Sequence, residues 1–121
     1  MAIKLSVAVR NAMLDAYETT IGTSPKMRIL TGAAPANCAA AQTGTLLAEL
    51  TLPADWASAA AAGAKALTGS WSGSVTVAGT AAHFRVVDST GTTCHEQGTI
   101  DTTGSDINLT STALTVGQVL V

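Results

Sequence analysis

The run GTAAHFRVVDSTGTTCHEQGTI, Gly79 to Ile100, decides how the chain folds. Between Ala81 and Ser89 the residues alternate, with Ala82, Phe84 and Val86 on one face of an extended chain and His83, Arg85 and Val87 on the other. Successive side chains of a strand point to opposite faces, so this pattern predicts a strand with an apolar side. Thr90-Gly91 supplies a turn, and Thr92 to Ile100 returns as the next strand.

The same signature spreads outward. Towards the C-terminus, Thr103-Gly104 makes a turn, Asp106 to Ser111 reads as a strand, and Gly117 precedes a last strand, Gln118 to Val121. In the other direction, Trp71 to Ala78 (WSGSVTVA) alternates before a turn at Gly79-Thr80. Thr45 to Leu52, closed by Pro53, and Lys26 to Leu30 read as two further strands, joined by an alanine-rich loop from Gly32 to Gly44. Asp55 to Ala66 is ambiguous. Alanine favours helix, but a run with Gly63 inside it has little bulk to bury. It reads as an extended crossing loop anchored by Trp56, or as a short helical turn. Helical spacing is confined to the start: Leu5, Val9, Ala12, Met13 and Ala16 share one face of a segment from about residue 5 to 18, with Ser6 as N-cap and Gly22 and Pro25 beyond it.

Short strands separated by glycine turns predict a single β domain over residues 1–121. The expected class is mainly β, an antiparallel β-sandwich or barrel-like domain with one N-terminal α-helix. The expected core is Trp71, Val75, Val77, Phe84, Val86, Ile107 and Leu109.

Composition narrows the function. At 121 residues the chain suits one domain. Hydrophobic residues make up 47% and charged residues 12%, about half the usual charged share, which excludes disorder. A net charge of −2 with six scattered basic residues argues against nucleic acid. So lightly charged a surface resists association weakly, which points to a homo-oligomer or a skin covered by other chains. The apolar run Ala57 to Ala66 is too short and too interrupted to span a membrane. Arg10 and Asp15 break the N-terminal segment where a secretory signal needs a continuous apolar core.

Chemical constellations are few. His83 and His95 sit on expected strands and read as solvent-facing or interface residues. Cys94 and His95 are adjacent, so a strand points them apart and they make neither a metal site nor a nucleophile–base pair. Gly91, Gly98 and Gly104 are turn glycines and form no phosphate loop. Asn108-Leu109-Thr110 matches a glycosylation sequon by chance. Cys38 and Cys94 read as free thiols packed as small hydrophobes. A disulfide between them would be unusual in a cytoplasmic product and available only to a particle that leaves the cell. With Tyr17, Trp56, Trp71 and Phe84 as the aromatics, stacking platforms are not expected. The chain is expected to be no enzyme and to use no cofactor and no metal.

Three stretches, TGTLLAELTLP at 43–53, GTAAHFRVVDSTGTTCHEQGTI at 79–100 and TGSDINLTSTALTVGQ at 103–118, join the opening KLSVAVRNAMLDAY in a wider pattern. Together they resemble a family of small structural proteins of tailed bacteriophages and prophages. In that pattern Trp71 is the central tryptophan before a glycine, Gly79 to Arg85 the G-T-A-x-x-F-R strand, and Gly104 to Leu109 the closing G-x-D-x-x-L segment. The resemblance implies a virion protein, assembled in the host cytoplasm and without catalytic residues. Its leading role would be capsid decoration (a cement protein), with the major capsid protein or other virion proteins as partners. A tail or head–tail accessory protein is the alternative, and a small binding module for host-surface carbohydrate the second. The short Ala57 to Ala66 segment and the end at Val121 are expected to lack turns that longer relatives use for contacts. Ile3, Leu5, Val9 and Met13 form the candidate interface: an apolar stripe that either meets another chain or packs on the domain's own sheet.

Overall fold

Strong alternation in the middle of the chain and helical spacing at its start both become structure. The computed structural model describes residues 3–120. Helix α1 spans Val7–Ile21, followed by β1 (Lys26–Leu30), β2 (Leu46–Thr51), β3 (Gly73–Ser74), β4 (Gly79–Thr80), β5 (His83–Val87), β6 (Cys94–Asp101), β7 (Ile107–Asn108), β8 (Ala113–Leu114) and β9 (Val119–Leu120). The main sheet has the order β2-β1-β5-β6-β7, and β3-β9 and β4-β8 form two short ribbons. The first four strands of the main sheet are antiparallel, while β7 lies parallel to β6 with Ile107 opposite Ile100. The chain is mainly β with one N-terminal helix, and the curled, mixed sheet is consistent with a sandwich-like or barrel-like body.

Strand β5 is the centre. Its register sets Phe84 between Ile29 and Gly98, and Val86 between Met27 and Glu96. Gly98 is a glycine because the Phe84 ring takes the space of a side chain: a Cβ there would lie 2.6 Å from Phe84 Cε1. All five β5 residues are buried, so both faces of the strand are covered. One face packs on Ile29, Leu50, Trp56 and Ile100. The other, with His83 and Arg85, lies beneath the Gly32–Gly44 loop.

Several expectations need correction. The Trp71–Ala78 strand reduces to Gly73–Ser74, followed by a bridge from Val75 to Ala48. The Leu47 carbonyl then accepts from both Thr76 N (2.8 Å) and Val77 N (3.4 Å), which breaks the alternation. Val77 consequently stands 42% exposed and is not core. Gly79-Thr80 is not a turn but β4, paired with β8. Phe84, Val86 and Val75 are buried as expected, and Trp71, Ile107 and Leu109 pack half-buried against them. The Asp106–Ser111 strand keeps only Ile107–Asn108. The last strand is Val119–Leu120, and its expected end at Val121 lies outside the described residues, as do Met1 and Ala2. Helix α1 starts two residues later than expected, after the Ser6 cap whose Oγ accepts from Val9 N, and runs three residues past its expected end, closed by Gly22 at φ +88°.

The ambiguous alanine segment is a hairpin. Ala57 pairs with Leu67, and Ala61 and Ala64 exchange two backbone hydrogen bonds of 2.9 Å around Ala62-Gly63. Both turn residues have positive φ, +52° and +74°, the conformation of a two-residue hairpin turn. Propensity counted alanine as a helix former. The turn at Gly63 and the buried anchor Trp56 overrode it.

Candidate functional site

Helix α1 is mounted with its polar side inward. Asn11, Asp15 and Glu18 recur every three or four residues and so share one face. All three bind the alanine hairpin. Asn11 Oδ1 accepts from Gly63 N (2.9 Å), and Asp15 Oδ1 accepts from Ala60 N (2.9 Å). Lys65, its side chain almost fully covered, reaches Asp15 at 2.8 Å and Glu18 at 2.7 Å. The hydrogen bond from Lys65 and the amide of Ala60 hold the Asp15 carboxyl below the usual carboxylate range. The same two carboxylates raise Lys65 above the ordinary lysine value. Trp56, buried at the foot of the hairpin, donates from Nε1 to Gly22 O (2.9 Å) and ties down the helix end. Ile21 is the one buried residue of α1.

The opposite side of the helix is left to solvent. Leu5, Val9 and Met13 are 46%, 45% and 60% exposed, and Ala12 and Ala16 beside them are exposed too. Leu5 and Ile3 both precede the helix, which begins at Val7, and Ile3 is 90% exposed. The structure therefore brings Leu5, Val9 and Met13 onto one surface, with Ile3 at its edge, and does not pack that stripe on the sheet. The hairpin satisfies the polar face by hydrogen bonding, and the alanines offer no bulk that could bury the apolar one. Between Leu5, Met13, Leu14 and the hairpin tip at Gly63 lies a shallow cleft of about 210 Å³. The Arg10 side chain runs across the same tip, and a Cβ on Gly63 would lie 2.9 Å from its Cζ.

Beneath the helix and hairpin, an apolar cavity of about 460 Å³ is lined by Tyr17, Leu67, Trp71, Phe84 and Ile107 among others. Tyr17, Trp56 and Trp71 make two successive edge-on contacts, at 5.7 and 6.1 Å between ring centres. The Tyr17 hydroxyl donates to the Glu96 carboxylate. Burial and then that carboxylate push its pKa well above the ordinary tyrosine value.

The far face of the sheet carries what residue spacing did not reveal. His83 is fully buried rather than solvent-facing, with Nδ1 2.7 Å from Gly32 O. Arg85, 3% exposed, donates to Cys38 O (2.7 Å), Ala40 O (3.0 Å) and Cys94 Sγ (3.2 Å). Gln97, opposite Arg85 in register, donates to Pro35 O (2.7 Å). These three side chains hold the Gly32–Gly44 loop down as a lid. Buried polar groups are usually hydrogen-bonded, and here the lid's own carbonyls serve most of them, while His83 Nε2 and Gln97 Oε1 are buried without a partner. A sequence signal existed: a loop with so few polar side chains is suited to covering a surface. His95 lies on the helix side, in a cleft with Ala16, Tyr17, Thr20 and Ile21, so Cys94 and His95 point apart as expected. Cys38 and Cys94 are both free and half-buried, and their sulfurs are 2.8 Å apart. No group of three or more metal-ligating side chains occurs among the described residues.

No protein-family model, no curated protein and no solved structure matches this chain.

Proposed function

We propose that this chain is a bacteriophage virion structural protein that decorates the outside of the capsid and stabilises the assembled shell. The observation that supports this is the reversed mounting of α1, whose charged side is consumed by the alanine hairpin while Leu5, Val9 and Met13 face outward. A contiguous exposed apolar patch on a small domain is suited to a protein partner. The sequence resemblance to phage virion proteins gives the partner its kind: the major capsid protein, or another virion protein. Binding only the assembled lattice would stabilise it by mass action. The lightly charged skin also suits a homo-oligomer around a local symmetry axis.

The test is reconstitution. Shells lacking this protein are mixed with the purified chain, imaged, and heated. Copies on the outer surface and a higher shell disruption temperature are expected. A Leu5→Glu/Met13→Glu variant should keep the domain's own melting temperature and lose shell binding. Copies confined to the tail or connector would favour the tail accessory reading, and no copies in particles would end the virion reading altogether. A carbohydrate module finds less support: of the aromatics, Trp56 and Phe84 are buried, Trp71 is half-buried, and Tyr17 alone is exposed, whereas sugar platforms need flat aromatic faces in water.

A further inference from the structure

The lidded face of the sheet holds a pair of thiols and a cation that shell binding does not use. Cys38 lies on the lid and Cys94 on β6, 56 residues apart in sequence, yet their sulfurs are 2.8 Å apart. Closing to a bond of about 2.05 Å takes less than about 1 Å of movement. Neither end is loose. Arg85 grips the Cys38 and Ala40 carbonyls, Ala40 N donates to both Asn37 O (3.2 Å) and Asn37 Oδ1 (3.0 Å), and Cys94 is held in the β5–β6 ladder opposite Val87. No carboxylate pairs with the Arg85 guanidinium among the described residues. Its Nε–H instead points at Cys94 Sγ (3.2 Å). A cleft of about 190 Å³ is lined by both cysteines together with Arg28, Gln42 and Gly91.

We propose that Cys38 and Cys94 are a disulfide-forming pair, oxidised by a small disulfide of the glutathione class, and that the bond staples the Gly32–Gly44 lid to β6. In the first step the Cys94 thiolate attacks one sulfur of the reagent. The reagent's S–S bond breaks, one glutathione leaves as a thiolate and takes up a proton, and Cys94 carries a mixed disulfide. In the second step the Cys38 thiolate attacks Cys94 Sγ, the new S–S bond forms, and the second glutathione leaves and is protonated. Two electrons pass from the cysteine pair to the reagent, and the two thiol protons end on the two glutathiones. Burial and the neighbouring Cys94 push the Cys38 thiol up to about 11. This makes Cys38 the slower attacker in solution and assigns it the intramolecular step, where proximity compensates. The reaction fits a protein made in a reducing compartment and used outside it.

The full chain is equilibrated in glutathione buffers from reducing to oxidising, quenched with N-ethylmaleimide in denaturant, and weighed intact. Both alkylation sites should vanish together, leaving a monomer lighter by two hydrogens. The melting temperature should rise, on the order of 10 °C for a loop of this length. Cys38→Ser should instead retain a glutathione adduct on Cys94. Two alkylated thiols at the oxidising end, a lasting glutathione adduct on the unsubstituted chain, or disulfide-linked dimers alone would each overturn the proposal. The readout is independent of capsid binding, so it stands or fails separately from the virion reading.

Discussion

Strand β5 and helix α1 are held by opposite means. Every β5 residue is buried, its apolar side chains interlocked with Ile29, Leu50 and Ile100. The helix buries Ile21 and otherwise holds on through Asn11, Asp15 and Glu18, the Tyr17 contacts to Glu96 and Trp56, and the Trp56 bond to Gly22 O. The first region is stabilised by removal of apolar area from water, at about 25 cal/mol per Å². The second rests on a few hydrogen bonds and on ion pairs between a covered Lys65 and two partly exposed carboxylates, each a small contribution. The lesson is that a β domain can carry its helix as an attached fitting rather than as part of the core. That leaves the helix's apolar side exposed.

The largest effect should come from the sheet. Phe84→Ala removes a buried ring at the meeting point of β1, β5 and β6, and is expected to cost about 3–5 kcal/mol by denaturant titration. A loss below 1 kcal/mol would place the stabilising centre elsewhere and dissolve the contrast.

A smaller and local effect is expected at the helix. Lys65→Ala should leave the sheet's amide protection unchanged while protection across α1 falls, as read by hydrogen exchange. Acid should do the same. The Asp15 carboxyl is depressed below its ordinary 3.8, so its contribution is complete above that value and is lost as pH falls through the lowered one. Lys65 is raised, so its contribution holds below its ordinary 10.5 and is lost as pH rises beyond the raised value. Docking is therefore intact through neutral pH, and α1 protection should drop below about pH 4. At the turn between β5 and β6, amides led by that of Thr92 lower Asp88 to about 2, which keeps that turn charged to stronger acid. Simultaneous loss of helix and sheet protection would show the two regions to be one cooperative unit.

The smallest effect is a gain. Ala62 sits at φ +52°, a conformation that costs an alanine about 1 kcal/mol. Ala62→Asn restores the Asn-Gly pair that two-residue hairpin turns favour and should raise stability by up to about 1 kcal/mol. No change would mean that the hairpin opens independently of the sheet.

Local pattern was sufficient wherever one chemical period dominated. The alternation in HFRVV, the Lys26–Leu30 and Leu46–Thr51 strands and the Ser6-capped helix followed from spacing alone, because each residue's neighbours two or four positions away already define its face. The stripe of Leu5, Val9 and Met13 was equally legible, but whether it faced inward was not. Which side a helix presents depends on what distant residues offer it, here Lys65 and the backbone amides of Ala60 and Gly63. Long-range pairing also decided the rest. Leu47 draws Thr76 and Val77 off the strand period, and β8 recruits Gly79-Thr80 as β4. The lid buries His83, read from sequence as solvent-facing, together with Arg85, and half-covers Gln97. Sequence alone determined a mainly β chain with one amphipathic helix. Only the tertiary structure decided that the helix is mounted outward and that two cysteines 56 residues apart meet, because burial and contact at those positions are set by partners far along the chain.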